Sequence, residues 1–233
     1  MKILLTAGGT EEPIDSVRKI TNMSTGKLGA EICNALINTW DEEGTLEDHQ
    51  IFYVCNKNSI KPNPSSSVTI IQTTDVKSVE WAIGSISGTN QIDCFVHSMA
   101  VSDYTVDGAF FEEKSNNETF FKKIDTSKKM KSNHDEIYLK LVKTPKIVDE
   151  IKIENPHAKL ISFKLLNDVS EEELIKVAKA QLERTNSSLV VANDLANIKR
   201  GNHRAVIVDN QNSTVIEGKT NIANFLQDYI NHV

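Results

Sequence analysis

Short apolar runs that alternate with longer amphipathic stretches are the feature that most constrains the fold of this 233-residue chain. Residues 2–6 and 93–99 are near-continuous apolar runs, which are typical of parallel strands buried on both faces. The same two patterns predict further strands at 50–55, 68–72, 136–142, 160–163, 189–192, 205–208 and 214–217, and helices at 26–40, 76–86, 145–153, 171–184 and from 221 onward. We therefore expect an α/β fold, with a doubly wound, mainly parallel, Rossmann-like sheet and helices on both of its faces.

Length and composition favour one domain, residues 1–233, that acts on small molecules. The chain is 39% hydrophobic and 25% charged, and its formal net charge of -6 argues against a nucleic-acid surface. No apolar run approaches the roughly 20 residues of a membrane span, and no signal peptide is recognisable, so we expect a cytoplasmic protein without a membrane partner. The three cysteines are widely spaced within apolar runs and are predicted to be buried thiols.

Two segments interrupt the alternation. Residues 41–48 are acidic without apolar periodicity, and we expect a solvated loop or helix tail there. Residues 110–133 are long, polar and rich in lysine, and they follow a predicted strand end. A mobile active-site flap and a solvated surface loop fit this second segment equally well.

The residues after the first predicted strand are suited to a ligand. In an open parallel sheet, ligands lie beyond the carboxyl ends of the strands. Gly8 and Gly9, followed by Thr10, would let the backbone approach a ligand closely. A dinucleotide-binding fold passes from such glycines directly into its helix, but here residues 11–24 intervene. This insertion brings polar side chains suited to a carboxylate or polyol: Glu12, Asp15, Arg18 and Asn22.

The sequence TGKLG at residues 25–29 predicts the start of the first helix. Ser24 or Thr25 is expected to cap this helix, while Gly26 and Gly29 leave its first amides open to an anion. The full phosphate-loop pattern is absent, because Lys27 is followed by leucine. This site therefore favours an anion without being a P-loop.

A second polar cluster, HSMAVSDY, lies at residues 97–104. A lone histidine at a strand end more often forms local hydrogen bonds than acts as a general base, and we expect this of His97. Asp103 is the better candidate for a ribose hydroxyl or a metal-bound phosphate. A turn or helix cap formed by Asp103 is a comparable alternative.

These motifs together resemble a known family. The segments GGTEEPIDSVRKITNMSTGKLG, HSMAVSDY, KKMKS, VKTPKIV, ISFKLL and VVANDL occur in this order in phosphopantothenate–cysteine ligases, and the resemblance covers essentially the whole chain. It suggests the stand-alone bacterial form, which has no fused flavin-dependent decarboxylase domain.

The resemblance implies a ligation in coenzyme A biosynthesis. Bacterial members of the family activate 4'-phosphopantothenate with CTP, releasing pyrophosphate and forming an acyl-cytidylate, which the amine of L-cysteine attacks to release CMP. Mg²⁺ assists this reaction in the family. Nucleotidyl transfer needs cations around the phosphates more than a protein nucleophile, which is consistent with the absence of a catalytic triad motif. Many bifunctional relatives have FAAE where this chain has FKLL, and CTP is favoured here over ATP.

The resemblance also implies roles for particular residues. Asn22 matches the asparagine that contacts the activated acyl group, and Arg18 matches an arginine beside it. Lys129 matches the flap lysine that closes over the acyl phosphate, with Lys128 and Lys131 as alternatives. The implied substrate-binding residues are Gly8, Gly9, Thr10, Asn22 and Ala100. The implied nucleotide-binding residues are His97, Ser98, Met99, Asp103, Phe163, Lys164, Leu165, Leu166 and Asn186.

The family is dimeric, so the resemblance implies a homodimer whose interface uses strands that follow Tyr104. The alternating pattern at 136–142 suits such a small dimerisation strand region, although an ordinary strand has the same pattern.

Two other functions share this fold class. One is a short-chain-type NAD(P) oxidoreductase, because Tyr53 and Lys57 have its Tyr-x-x-x-Lys spacing. These residues fall on a predicted strand, where positions four apart are about 13 Å distant, so the spacing is wrong for that chemistry. The other is a non-catalytic nucleotide-binding regulator, which would need the glycines but not Asn22 or the flap lysine.

Overall fold

The computed structural model describes residues 1–115 and 118–232. Its strands, in chain order, are β1 (Lys2–Ala7), β2 (Glu11–Pro13), β3 (Lys19–Thr21), β4 (Gln50–Asn56), β5 (Val68–Thr73), β6 (Cys94–His97), β7 (Tyr104–Ser115), β8 (Glu118–Ile124), β9 (Tyr138–Lys143), β10 (Lys159–Leu166), β11 (Leu189–Asp194), β12 (Arg204–Val208) and β13 (Ser213–Glu217). Its helices are α1 (Lys27–Glu42), α2 (Val76–Thr89), α3 (Ile147–Glu154), α4 (Glu171–Thr185), α5 (Leu195–Lys199) and α6 (Lys219–Asn231), and a 3-10 turn spans Leu46–Asp48.

Eight strands form the central sheet, in the order β13-β12-β11-β10-β6-β1-β4-β5. The six strands from β11 to β5 in this order are parallel to one another. The other two, β12 and β13, run antiparallel as a hairpin at one edge. The predicted mainly parallel, doubly wound sheet is therefore confirmed.

Helices cover both faces of this sheet. Helices α1 and α6 pack on one face, where Ile3 and Leu5 of β1 lie in the core. Helices α2 and α3 pack on the other face over Leu4 of the same strand, and α4 covers β11 and β12 there. Successive side chains of a strand point to opposite faces, so a strand covered on both sides must be apolar throughout. Each such aliphatic side chain contributes about 1.5–3 kcal/mol by its burial.

The order of the strands fixes where a ligand can bind. From β1 the chain continues outward to β4 and β5, whereas β6, on the other side of β1, is followed outward by β10 and β11. Connections that leave in opposite directions open a crevice beyond the carboxyl ends of the two central strands. In this chain the crevice is bordered by the segments that follow β1 and β6.

The start of α1 differs from the expected one. Its N-cap is Gly26, in a left-handed conformation with φ 74°, and no side chain caps the helix. The Thr25 hydroxyl only reaches the Lys27 amide at 3.4 Å, and Ser24 is not the cap. Glycine adopts this conformation without strain, so the chain turns into the helix here without a side-chain cap. At the other end, residues 41 and 42 end α1, and the 3-10 turn follows at residues 46–48, which agrees with the helix tail or loop that we expected.

Residues 110–133 are only partly the polar loop that we expected. Strands β7, β8 and β9 form a separate antiparallel sheet, in the order β8-β7-β9, which we call the arm. Residues 110–115 and 118–124 are paired in it, while residues 116 and 117 lie outside the described residues. The sequence did not predict β8, because its lysines are not typical of a strand. Ion pairs across the two strands, such as Lys122 with Glu113, stabilise charged residues there. Residues 125–133 have no regular structure, and we call them the lysine segment.

Candidate functional site

The segments after β1 and β6 are joined by backbone hydrogen bonds at the predicted crevice. The Ala100 amide donates to the Gly8 carbonyl at 2.8 Å, and the Thr10 amide donates to the Ala100 carbonyl at 3.2 Å. The Ser102 amide donates to the Thr10 hydroxyl at 2.9 Å. These bonds bring together four of the predicted substrate-binding residues: Gly8, Gly9, Thr10 and Ala100.

Asn22 joins the same group from the inserted segment. Its side-chain Nδ2 donates to the Ala100 carbonyl at 3.0 Å, and its backbone amide donates to the Thr10 carbonyl at 3.4 Å. The side-chain bond orients the amide group, and its Oδ1 has no protein partner among the described residues. A fixed amide oxygen at the mouth of a crevice is suited to accept a hydrogen bond from a bound substrate.

The glycines of this loop serve protein packing as well as the crevice. Gly8 has φ 87°, and a Cβ there would lie 1.8 Å from Ser59 Oγ. A Cβ on Gly9 would lie 2.5 Å from the Asn22 carbonyl oxygen. The close approach that we expected for a ligand is therefore made, at these two positions, by the chain itself.

The inserted segment is a hairpin, β2–β3, that is tied to its surroundings by two buried carboxylates. Glu12 accepts a hydrogen bond from the Val76 amide at 3.0 Å, at the start of α2. Asp15 accepts one from the Met130 amide at 3.0 Å and pairs with the Arg18 guanidinium at 2.6 Å. We expected both carboxylates to contact a ligand, but both are occupied within the protein.

Burial alone raises the pKa of the Asp15 carboxyl, but hydrogen bonds outweigh it. They come from the backbone amides of Met130, Val17 and Arg18 and from the Arg18 guanidinium, and together they hold the pKa at about 2. Asp15 therefore remains charged at neutral pH.

We expected Arg18 and Asn22 to lie side by side, but they do not. They flank the two ends of β3, and four extended residues span about 13 Å. Arg18 instead lies beside the lysine segment, through their shared contact with Asp15. Within that segment Met130 is buried, whereas Lys128, Lys129 and Lys131 are exposed.

His97 and Met99 serve the sheet and present little surface to a ligand. The Thr6 hydroxyl lies 2.9 Å from His97 Nδ1 and accepts a hydrogen bond from the Met99 amide at 3.3 Å. Ser98 donates through its hydroxyl to the Thr6 carbonyl at 2.6 Å. Burial lowers the pKa of His97 to about 4, so the ring is neutral at pH 7. The local hydrogen bonding expected of His97 is confirmed, and contact of His97 and Met99 side chains with a nucleotide is not supported.

Asp103 is accessible beside the crevice. Its carboxylate pairs with Lys146 at 2.6 Å, just before α3, and both side chains are more than half exposed. The Thr144 amide donates to the Asp103 carbonyl at 3.1 Å, which fixes the backbone there. Asp103 thus remains a candidate for binding a nucleotide.

The end of β10 lies at the same edge of the sheet. Ser162 pairs with His97 in the ladder, so residues 163–166 continue beyond the end of β6. Phe163 packs against the core on the α1 side, while Leu165 is exposed. Contact with a nucleotide stays a prediction for four residues whose position at this edge allows it: Phe163, Lys164, Leu165 and Leu166.

Asn186 lies at the amino ends of the parallel strands, away from the crevice. Its predicted contact with a nucleotide is therefore wrong. It is the C-cap of α4, in a left-handed conformation with φ 50°, and it precedes β11. The carboxyl end of β11, about 16 Å away along the strand, instead carries Asn193 and Asp194. Asp194 caps α5 and also accepts a hydrogen bond from the Asp168 amide at 2.6 Å. The sequence VVAND could have identified Asn193 and Asp194 as site candidates, because this polar pair directly follows an apolar run.

The Tyr-x-x-x-Lys spacing is not an active site. Tyr53 is fully buried on β4, its hydroxyl donates to the Ile60 carbonyl at 3.1 Å, and burial raises its pKa. Lys57 follows the end of the strand. This arrangement removes the support for an oxidoreductase.

The cysteines and charged residues offer no metal centre within residues 1–115 and 118–232. No group of three or more histidine, cysteine, aspartate or glutamate side chains gathers there. Cys33, Cys55 and Cys94 are buried thiols, as predicted, and burial raises the pKa of Cys33 and Cys94 to about 12. No helix in the described part of the chain is long and apolar enough to cross a membrane.

The fold and this crevice define a class, the doubly wound α/β proteins that bind a small molecule where the strand order reverses. The chain belongs to the family of the DNA/pantothenate metabolism flavoprotein C-terminal domain, whose model matches residues 1–233.

Individual relatives agree with this family. The coenzyme A biosynthesis bifunctional protein CoaBC of Thermococcus kodakarensis is 34% identical over 207 residues, which cover 89% of this chain and 44% of that protein. The chain therefore spans less than half the length of this relative. A solved DNA/pantothenate metabolism flavoprotein from Streptococcus pneumoniae is 32% identical, with a TM-score of 0.83 over 100% of this chain and 99% of that one.

A more distant structure shares the fold. It is a Cab2 mutant in complex with phosphopantothenate-cysteine, 20% identical, with a TM-score of 0.71 over 99% of this chain and 85% of that one.

The neutral state of buried His97 predicts a pH dependence of stability. A histidine with a pKa near 6.5 when unfolded and about 4 when folded takes up a proton on unfolding between these values, so stability falls as pH falls from 6.5 to 4. At or below pH 4 the loss is about 3 kcal/mol. Urea unfolding of wild type and His97→Asn at pH 7 and pH 4.5 measures it, with His157→Asn, an exposed histidine, as the control. An equal loss in wild type and His97→Asn would contradict the neutral, buried ring.

Proposed function

We propose that this chain is a phosphopantothenate–cysteine ligase that uses CTP. It would join 4'-phosphopantothenate and L-cysteine to give 4'-phosphopantothenoylcysteine, with release of pyrophosphate and CMP. Membership in the family supports this proposal, as do relatives that are named for coenzyme A biosynthesis. The observation that carries it is Asn22, which is fixed on Ala100 at the mouth of the crevice with its amide oxygen facing no protein donor among the described residues.

The proposed chemistry has two steps. A carboxylate oxygen of 4'-phosphopantothenate attacks the α-phosphorus of CTP, and the bond to pyrophosphate breaks. The amine of cysteine then attacks the acyl carbon, the bond to the CMP oxygen breaks, and the amine loses a proton. Both steps build charge on phosphate oxygens, which fixed cations and amide groups stabilise. Arg18 and the lysine segment supply the cations, and Asn22 orients the acyl group.

Mg²⁺ commonly neutralises the phosphates of a bound nucleotide. The described residues of this chain do not gather a set of ligands for it, and Asp103 already pairs with Lys146. We therefore assign no protein ligand to Mg²⁺ and no step to it.

We further propose a homodimer that forms through the arm. Large apolar side chains are exposed on this small sheet, and Phe121 packs edge-on against Tyr138 with ring centroids 5.1 Å apart. The exposed set is Tyr104, Phe120, Phe121, Tyr138 and Leu141. Exposed aromatic clusters of this kind are typical of protein interfaces. The predicted strand at 136–142 exists as β9, within this sheet.

Pyrophosphate release tests the proposed activity. Purified protein is incubated with 4'-phosphopantothenate and CTP, ATP, GTP or UTP, with and without cysteine. We expect release with CTP, and continued turnover only with cysteine. Release with ATP alone would correct the nucleotide, and absence of release with every nucleotide would exclude the ligase. A regulator would bind CTP without this turnover.

The Asn22→Asp variant tests the role of the amide. Aspartate cannot donate to the Ala100 carbonyl, so the side chain loses its fixed plane and places a charge near the acyl group. We expect the acyl-cytidylate to form but to react with cysteine about 100-fold more slowly, which mass spectrometry would show as accumulated intermediate. Asn155→Asp is the matched control, because Asn155 also donates to a carbonyl but lies at the opposite edge of the sheet. Product formation at the normal rate in Asn22→Asp would remove Asn22 from this role.

A further inference from the structure

The Asp15 carboxylate connects two segments that each carry a candidate cation. Its side chain is fully enclosed, with no exposed surface. On one side it holds the turn of the β2–β3 hairpin that contains Arg18. On the other side it holds the backbone of Met130, at the centre of the lysine segment. These segments are 115 residues apart in the sequence.

The two oxygens of this carboxylate have different partners. Oδ1 accepts hydrogen bonds from the amides of Val17 at 2.8 Å and Arg18 at 2.7 Å, which is a local turn. Oδ2 accepts from Arg18 Nη1 at 2.6 Å and from the Met130 amide at 3.0 Å. Only Oδ2 therefore ties the guanidinium to the lysine segment.

The two hydrogen bonds of Asp15 Oδ2, to Arg18 Nη1 and to the Met130 amide, are called the tie. The tie sets which side chains of the lysine segment face the solvent. The Met130 side chain is buried with 4% of its surface exposed, while Lys129 and Lys131 on either side of it are exposed. One buried side chain and one amide bond thus fix which residues point outward. Without them, a segment that has no regular structure would have to be ordered each time a substrate binds, which is unfavourable in entropy.

We propose that Asp15 is a positioning residue of the ligase reaction, which holds Arg18 and the backbone of Met130, next to Lys129, at a fixed separation so that both cations act on the phosphates together. The role rests on the proposed function. Cations that are fixed before the reaction stabilise the developing charge without reorganisation. Asp15 touches neither substrate nor nucleotide in this account and acts through Arg18 and the lysine segment.

The Asp15→Asn variant separates the tie from the turn. The amide oxygen of the introduced asparagine can stay in the turn, and its NH₂ group then faces two donors, Arg18 Nη1 and the Met130 amide, so only the tie is lost. We expect a folded protein in which exchange of the Met130 amide with deuterium is faster and pyrophosphate release with CTP and 4'-phosphopantothenate is about 10- to 100-fold slower. Asp209→Asn is the matched control, because Asp209 caps a turn at Gln211 and Asn212 without touching this region.

A double substitution distinguishes positioning from general destabilisation. In a Lys129→Gln background, Asp15→Asn should slow pyrophosphate release by a smaller factor than it does in the wild type, because one of the two cations that it positions is already gone. A full additional loss in that background would overturn the proposal. If Asp15→Asn does not fold, Met130→Pro removes both the amide donor and the buried side chain and should give at least the same loss of rate.

Two further outcomes overturn the inference separately. Unchanged exchange of the Met130 amide in Asp15→Asn would show that the tie does not hold the segment, whatever the activity. Faster exchange with an unchanged rate of pyrophosphate release would show that the tie does not serve the reaction. If wild type releases no pyrophosphate with any nucleotide, the proposed function fails and this role fails with it, and the exchange data still report on the tie.

Discussion

The backbone bonds of Ala100 are the constraint on which the candidate site depends. Its amide and carbonyl hold Gly8 and Thr10, and the carbonyl also holds the side chain of Asn22. These bonds form because β1 and β6 are parallel neighbours whose following segments emerge at the same edge. A substitution that moved Ala100 would displace the loop after β1 and the amide of Asn22 together.

The inserted hairpin extends this arrangement away from the sheet. Its two buried carboxylates fix it to the start of α2 and to the lysine segment, respectively. A buried carboxylate is unfavourable unless hydrogen bonds satisfy it, and Asp15 receives four of them. The polar residues that look available in the sequence are therefore divided between two tasks. Glu12 and Asp15 hold the hairpin in place, and Asn22 faces the crevice.

Local patterns of the sequence predicted the central sheet well, because apolar runs follow directly from burial on both faces. The grouping of Gly8, Thr10 and Ala100 was also predictable, since parallel strands end at one edge. Three features were not. Pairing of charged residues across β7 and β8 hid these two strands of the arm. The length of β3 separated Arg18 from Asn22, and Asn186 precedes β11, so it lies at the amino ends of the strands. Each of these three features depends on the three-dimensional path of the chain, which the spacing of motifs in the sequence does not predict.

The most direct test of the central claim follows one oxygen atom through the reaction. If the crevice activates the carboxylate as an acyl-cytidylate, the bridging oxygen comes from 4'-phosphopantothenate and leaves with CMP. Protein supplied with [¹⁸O]carboxylate-labelled 4'-phosphopantothenate, CTP and cysteine should therefore give CMP that carries one ¹⁸O, measured by mass spectrometry. Unlabelled CDP with labelled inorganic phosphate would show attack at the γ-phosphorus, and unlabelled CMP with labelled pyrophosphate would show attack at the β-phosphorus. Either result would contradict the account.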